Sequence, residues 1–359
     1  MNTLTEQEIL AYLVGADDKE LFGRAEATKQ EVFGNEVYLR AIIEFSNICD
    51  KKCHYCGLRA PNSTISRYRM DVQAIRDTAA AAADAGAGTI VLQSGDDFGY
   101  STQVIGELVR DIKERHDVAV TLSLGDRGLD EYEFWRDCGA DRCLLKLETT
   151  NPRLYKRIRG GEDFSARLHR VQGIRDMGYE IGSGVIVDQP DSDMITTLRD
   201  ILFLTQLDLD MIAIGPFIPH PHTPLGNARP GSITLSHRVT ALLRILNPHA
   251  NIPSTSALGT ESPKERQRAL TRGCNVLMPS MTPEEHRRDY NIYPGKNEAI
   301  SASKHSLDSA KDMIRSLGLT PSSSKGPSKK SPHVHESSTQ NTVGPCAHRE
   351  TERELVAAD

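Results

Sequence analysis

Between residue 36 and about residue 280, short apolar segments alternate with amphipathic segments of helix length. The apolar segments are rich in β-branched residues and read as strands. We predict eight of them, over Val37–Phe45, Thr89–Gln93, Val118–Ser123, Arg142–Lys146, Glu180–Val187, Met211–Ile214, Ile252–Ser256 and Asn275–Met278. Helices are predicted between them, for example over Val72–Ala85, Gln103–Lys113, Phe164–Met177, Ile195–Gln206 and Leu235–Leu246.

Glycines at the junctions between predicted helices and strands, such as Gly86, Gly139 and Gly178, are typical of helix C-termini. Eight strands with helical crossovers favour an α/β fold, a parallel (β/α)8 TIM-type barrel. A doubly wound open sheet is the alternative. Residues 1–35 are predicted as an N-terminal helical extension and residues 36–317 as the barrel. Residues 318–359, rich in Ser, Pro and Lys, are predicted as a disordered tail.

Composition narrows the class of protein. The chain has 359 residues, with 43 Lys and Arg against 49 Asp and Glu, and its net charge is −6. An acidic chain without a long apolar run argues against nucleic-acid and membrane partners. The first residues, Met1–Glu6, have neither the basic nor the apolar region of a signal peptide, so we expect a cytoplasmic protein.

In a barrel of this kind, chemistry takes place at the C-terminal ends of the strands. A loop with the spacing C-x3-C-x2-C, formed by Cys49, Cys53 and Cys56, directly follows the first predicted strand. Thiolates hold iron–sulfur clusters, and the next cysteine, Cys138, is 82 residues away. The spacing therefore indicates a cluster with three protein ligands and one open iron. A zinc knuckle completed by His54 or a distant histidine is the alternative.

The cysteine motif, with an aromatic residue before its last cysteine, resembles the radical S-adenosylmethionine (SAM) superfamily. Within it, the chain is similar to the HydE family of [FeFe]-hydrogenase maturases from about Leu4 to Leu317. The segments that carry this resemblance are Ile43–Asn47, Cys56–Arg59, Arg67–Met70, Ile90–Gly95, Val120–Gly125, Ile214–Pro221 and Tyr293–Lys296.

The resemblance implies one [4Fe–4S] cluster on Cys49, Cys53 and Cys56, with SAM bound at the open iron. Reductive cleavage of SAM would give methionine and a 5′-deoxyadenosyl radical, used in assembling the dinuclear iron subcluster of the hydrogenase H-cluster. The implied partners are a small-molecule or iron-complex substrate, reduced ferredoxin or flavodoxin as electron donor, and the other hydrogenase maturases.

The resemblance also implies roles for individual residues. Those at matching positions for SAM are Tyr55, Ser123, Glu148 and Arg167, and those for substrate are Gln93, Thr121, Thr255, Ser256 and Met278. Ordinary explanations stand beside these roles: Glu148 could cap a turn, Arg167 could be a surface arginine of a helix, and the substrate set could simply fill the barrel.

The chain departs from the family pattern at three places. Family members that carry a second cluster have cysteines where this chain has Glu298, Ser306 and Ser309, so one cluster is predicted. The stretches Lys146-Leu147 and Asp188–Asp191 also differ from the family pattern, so the identity of the substrate is not fixed by the resemblance. The alternative functions are a methylornithine synthase-like or biotin synthase-like radical SAM enzyme, and a non-catalytic iron–sulfur scaffold.

Overall fold

The computed structural model describes residues 4–260, 262–296 and 303–330. The strands are β1 Glu36–Ser46, β2 Thr89–Ser94, β3 Ala119–Ser123, β4 Arg142–Leu144, β5 Glu180–Val187, β6 Met211–Pro216, β7 Pro253–Ser254, β8 Val276–Leu277 and β9 Thr320–Ser322. The helices are α1 Glu6–Val14, α2 Asp18–Phe33, α3 Val72–Asp84, α4 Thr102–Arg115, α5 Leu129–Asp137, α6 Pro152–Ile158, α7 Phe164–Asp176, α8 Met194–Gln206, α9 Ile233–Leu246, α10 Pro263–Ala269, α11 Glu284–Arg287 and α12 Ser303–Ser316, with a 3-10 turn at Ser256–Gly259.

Strands β1 to β8 form one parallel sheet in the order β6-β5-β4-β3-β2-β1-β8-β7. A parallel bridge between Met211 and Asn251 joins the two ends of this order, so the sheet curves into a nearly closed barrel. The strands are apolar along most of their length because helices cover the outer face while side chains fill the inner face. The predicted TIM-type barrel is confirmed, and an open doubly wound sheet is wrong.

The N-terminal helices α1 and α2 pack against α8 and α9 on the outside of the barrel. Helix α1 begins at a capping box, in which Thr5 and Glu8 satisfy each other's backbone N–H groups. Its buried residues Ile9 and Leu13, together with Leu21 and Ala25 of α2, join the main hydrophobic core. The predicted N-terminal helices are therefore confirmed. Within the described ranges, no helix is long and apolar enough to span a membrane.

The predicted start of the tail at residue 318 needs correction, because residues 318–330 belong to the fold. Strand β9 pairs with the beginning of β1, with Thr320 opposite Glu36 and Ser322 opposite Tyr38. Residues 323–330 then cross the end of the barrel at which the strands begin. These residues are held in the fold by hydrogen bonds to barrel residues more than by apolar burial. For that reason the amino-acid composition of the segment did not predict that it is folded. Residues 331–359, the remainder of the predicted tail, lie outside the described residues.

Candidate active site

The loop that carries the three cysteines leaves the C-terminal end of β1 and is fixed by polar contacts. The Arg67 guanidinium donates to the carbonyl oxygens of Asn47 at 2.7 Å, Leu58 at 2.8 Å and Arg59 at 2.8 Å. The Asn47 side chain donates to the carbonyl of Ser66 at 2.7 Å. Because a loop without regular structure has many backbone carbonyls to satisfy, one arginine that binds three of them holds both ends of the motif in place.

The thiols of Cys49, Cys53 and Cys56 line one cavity of about 320 Å³ at the C-terminal ends of the strands. The Asp96 backbone N–H donates to Cys49 Sγ at 3.4 Å, and the Arg159 guanidinium donates to Cys53 Sγ at 3.1 Å. Burial raises the pKa of the Cys49 thiol to about 12 and also raises the pKa of the Cys53 and Cys56 thiols. The raised pKa values favour protonated thiols. A bound cationic metal centre favours thiolates instead, because it stabilises their negative charge directly.

The arrangement of the thiols fits a cluster better than a single zinc ion. In the part of the chain that the structure describes, no three His, Cys, Asp or Glu side chains group together as ligands of one metal ion. A cuboidal cluster takes one thiolate at each of three corners, so its ligands surround a volume and do not meet at a point. Cys138, Cys143 and Cys274 are buried in the packing of helices and strands.

Glu148 follows β4 in a strained backbone conformation, with φ of 65°. Strand β5 holds Glu148 in this conformation. The Glu148 N–H donates to the Gly184 carbonyl at 2.9 Å, and the Glu148 carbonyl accepts from the Ile186 N–H at 2.9 Å. Its side chain lines the cavity. Lys146 Nζ forms an ion pair with Glu148 Oε2 at 3.0 Å, and this buried oxygen makes no hydrogen bond within the described residues. A strained carboxylate whose buried oxygen makes no hydrogen bond fits a ligand that brings a hydroxyl or ammonium donor.

Arg167, on α7, reaches the same cavity, where it meets a carboxylate that the sequence analysis missed. Its guanidinium donates to Asp126 Oδ1 at 2.5 Å and to the carbonyl of Lys146 at 3.0 Å. Asp126 also binds Arg170 at 2.8 Å and Arg159 at 3.1 Å. These cations hold the pKa of the Asp126 carboxyl well below its usual range despite burial. The only signal in the sequence was the position of Asp126, just after Gly125 at the end of the third strand.

Most of the other residues implied by the resemblance lie on this cavity as well. Its lining includes Tyr55, Gln93, Ser123, Thr255, Ser256 and Met278. The Thr255 hydroxyl donates to the Ile214 carbonyl at 2.8 Å, and the Ser256 and Tyr293 hydroxyls are 2.5 Å apart. Thr121 differs from this set: it is fully buried on β3 and does not line the cavity, and its hydroxyl has no hydrogen-bond partner within the described ranges.

A buried ion pair that the sequence analysis did not assign completes the cavity wall. Lys296, which lines the cavity, pairs with Glu44 at the end of β1. Glu44 is fully buried, and Ser280 Oγ donates to its other carboxylate oxygen at 2.6 Å. Lys296 Nζ also stands 4.2 Å from the centre of the Tyr290 ring. Lys296 therefore links the Tyr293–Lys296 stretch to β1 and places a positive charge on the cavity wall.

Comparison with known proteins agrees with this geometry. Residues 43–201 match the radical SAM superfamily. The chain is 43% identical over 319 residues to the [FeFe] hydrogenase maturase subunit HydE of Thermotoga maritima, an alignment that covers 88% of this chain and 91% of that protein. It is 27% identical to the 3-methylornithine synthase of Methanosarcina barkeri, over 78% of this chain and 81% of that protein. A crystal structure of methylornithine synthase superposes with a TM-score of 0.79 at 25% identity and covers 89% of this chain and 94% of its own.

A relative this similar over nearly nine-tenths of the chain, together with three cysteines, a buried carboxylate and an arginine on one barrel cavity, decides the family. The protein is a radical SAM enzyme whose family uses a [4Fe–4S] cluster and SAM, and the chain belongs to the HydE family of [FeFe]-hydrogenase maturases.

Proposed function

We propose that this protein cleaves SAM reductively in its barrel cavity and uses the product to process a small-molecule or iron-complex substrate for the dinuclear subcluster of the H-cluster. The observation that supports this most is the meeting of Cys49, Cys53 and Cys56 with Glu148 and Arg167 on one cavity. A non-catalytic scaffold has no need for a strained carboxylate on the same cavity as the thiols.

In this proposal the three cysteines hold the cluster, which supplies the single electron that splits SAM into methionine and a 5′-deoxyadenosyl radical. Glu148 Oε2 accepts a hydrogen bond from SAM, and Arg167, oriented by Asp126, donates to the SAM carboxylate. Tyr55 and Ser123 complete the SAM contacts. Apolar side chains such as Leu58, Leu144 and Phe217 also line the cavity and keep water away from a reactive carbon radical.

The substrate contacts belong to the same proposal. Gln93, Thr255 and Ser256 offer amide and hydroxyl groups to a polar substrate, and Met278 offers an apolar surface. Thr121, with its free hydroxyl, is placed in this set on the resemblance alone. The finer parts of the proposal are a cytoplasmic location, reduced ferredoxin or flavodoxin as electron donor, and contact with the other maturases.

The test separates this function from its rivals. The anaerobically reconstituted protein is given SAM and a reductant, and methionine and 5′-deoxyadenosine are measured. Cys53→Ala is expected to abolish both products, and Cys143→Ala, which changes a buried cysteine outside the cavity, is expected to keep them.

The protein is then added to extracts that contain an [FeFe]-hydrogenase and the other maturases but lack HydE. Restored hydrogenase activity supports the proposal, whereas SAM cleavage that restores none, with formation of methylornithine, overturns it.

A further inference from the structure

The outer side of the cysteine loop lies directly against the end of helix α6. The His54 backbone N–H donates to the Ile158 carbonyl at 2.7 Å, and Arg159 reaches Cys53 Sγ at 3.1 Å. Gly160 is so close that an added Cβ would stand 2.8 Å from the Lys52 carbonyl oxygen. Helix α6 and residues 52–54 therefore form one continuous surface. Only the cysteine loop lies between this surface and the Cys53 sulfur.

Helix α6 presents one cationic face and one apolar face. Arg153, Lys156 and Arg157 occupy positions i, i+3 and i+4, which lie on the same side of a helix, and all three are exposed. Leu154, Tyr155 and Ile158 are buried beneath them. Because burial of the apolar face fixes the rotation of the helix, the three cations are held toward solvent.

Two residues of the cysteine loop extend this positive surface. Lys52 is exposed, and the Arg59 guanidinium, which donates to the Lys52 carbonyl at 3.4 Å, lies next to it. We name the five residues Lys52, Arg59, Arg153, Lys156 and Arg157 the basic rim.

Few carboxylates neutralise the basic rim. Asp191 pairs with Arg157, and the exposed Asp163 interacts with Lys156 at longer range. Within the described residues, Lys52, Arg153 and Lys156 form no ion pair. A local excess of positive charge on a chain with a net charge of −6 concentrates attraction for anions at one place.

We propose that the basic rim is the docking surface for an acidic one-electron carrier protein that reduces the cluster, an inference that rests on the proposed function. Electron transfer needs the two redox centres close together, and this face lies against the loop that carries Cys53. Complementary charge speeds association and orients the partner, while the close loop contact provides the short path. The partner is recognised by its acidic surface, a property that ferredoxins and flavodoxins share.

The experiment compares two triple variants of the reconstituted enzyme. Lys52→Glu, Arg153→Glu and Lys156→Glu together reverse three of the four exposed charges of the basic rim and leave Arg157, which pairs with Asp191. Lys19→Glu, Arg115→Glu and Lys264→Glu change the net charge equally at exposed positions of α2, α4 and α10, outside the basic rim. The rate of 5′-deoxyadenosine formation is measured at low ionic strength with a reduced acidic ferredoxin, and separately with reduced methyl viologen, a small cation.

We expect the rim variant to lose about tenfold or more in rate with limiting ferredoxin and to lose the salt dependence, and we expect the control variant to stay within about twofold of wild type. Both variants should keep the wild-type rate with methyl viologen. Equal losses in the two variants, or a rim variant that is slow with both reductants, would overturn the docking surface. If the glutamate variant binds less iron, the same three positions as Gln replace it. No SAM cleavage by wild type with either reductant counts against the proposed function itself.

Discussion

Arg40 Nη2 donates at 3.0 Å to the carbonyl oxygen of Gly326, which lies 286 positions later in the chain. Arg40 points from β1 into the floor of the barrel and is fully buried, and Asn251 Nδ2 donates to the same carbonyl at 3.1 Å. Gly326 has φ of 59°, and an added Cβ would stand 2.6 Å from the Tyr38 ring. Burial and the neighbouring Arg142 lower the pKa of Arg40 to about 9, so the guanidinium needs this acceptor.

The segment that provides the acceptor, residues 320–330, is named here the floor strap. It touches the start of several strands, since Thr89 Oγ1 donates to the Lys325 carbonyl at 3.0 Å and Ser328 Oγ donates to Asp210 at 2.6 Å. We predict that a chain ending at residue 319 is less stable than one ending at 330 by about 1.5–3 kcal/mol, because the buried and charged Arg40 guanidinium loses a hydrogen bond. Urea unfolding of both chains and the full chain, at equal iron content, measures this difference. Equal midpoints for the 319 and 330 chains would show that the strap adds no stability.

Replacement of Arg167 tests the SAM site. Arg167→Ala should weaken SAM binding at least tenfold, because it removes a charged donor worth roughly 1.5–3 kcal/mol to a ligand carboxylate. Arg170→Ala is a matched control, since Arg170 also binds Asp126 Oδ1 but does not line the main cavity. Equilibrium binding of SAM to the reconstituted proteins measures the effect. The same loss in both variants would mean that the Asp126 network, and not the Arg167 contact, governs SAM affinity.

Iron content tests the number of clusters. We expect about four iron atoms for each chain after anaerobic reconstitution, because the one cysteine motif provides a single site. Ala at Cys49, Cys53 and Cys56 together should remove the cluster absorption, and Ala at Cys274 should keep it. Of the positions at which a second cluster would be bound, Ser306 is buried on α12, and Glu298 lies outside the described residues. Close to eight iron atoms, or a cluster that survives the triple substitution, would contradict the prediction.

Asp200 makes stability depend on pH. It lies on α8, and its carboxylate accepts from the Thr150 N–H at 2.7 Å, two residues beyond Glu148. Burial raises its pKa to about 6, so the folded protein retains a proton that the unfolded chain has already released. The contribution of Asp200 to the free energy of unfolding therefore falls as the pH rises toward 6 and stays low above it.

Asp200→Asn removes this effect and keeps the acceptor oxygen. At pH 7.5 it should raise the free energy of unfolding by about 1–3 kcal/mol, and at pH 4 it should give little gain. Chemical unfolding of the wild type and the variant at both pH values measures the free energies, and the pH 4 measurement is the control. A gain in the free energy of unfolding of the same size at both pH values would show that the stabilisation does not come from ionisation of Asp200.

The amino-acid sequence by itself determined the barrel and the location of its chemistry. The alternation of apolar strands and amphipathic helices is a local property, so all eight strands could be predicted and all are present. The cysteine motif is also local, and because it directly follows the first strand, its position at the C-terminal end of the barrel followed at once. Residues matched through the resemblance, such as Glu148 and Arg167, proved to lie on one cavity for the same reason.

Only the tertiary structure decided which groups meet across the chain. Asp126 beside Arg167, Lys296 beside Glu44 and Gly326 beside Arg40 join residues that lie between 41 and 286 positions apart. No pattern over a few residues records such pairs, because each depends on where closed strands and loops bring the side chains. The floor strap shows this most directly: a segment with a composition typical of disorder is ordered by hydrogen bonds to buried groups, and those groups exist as a surface only after the barrel has closed.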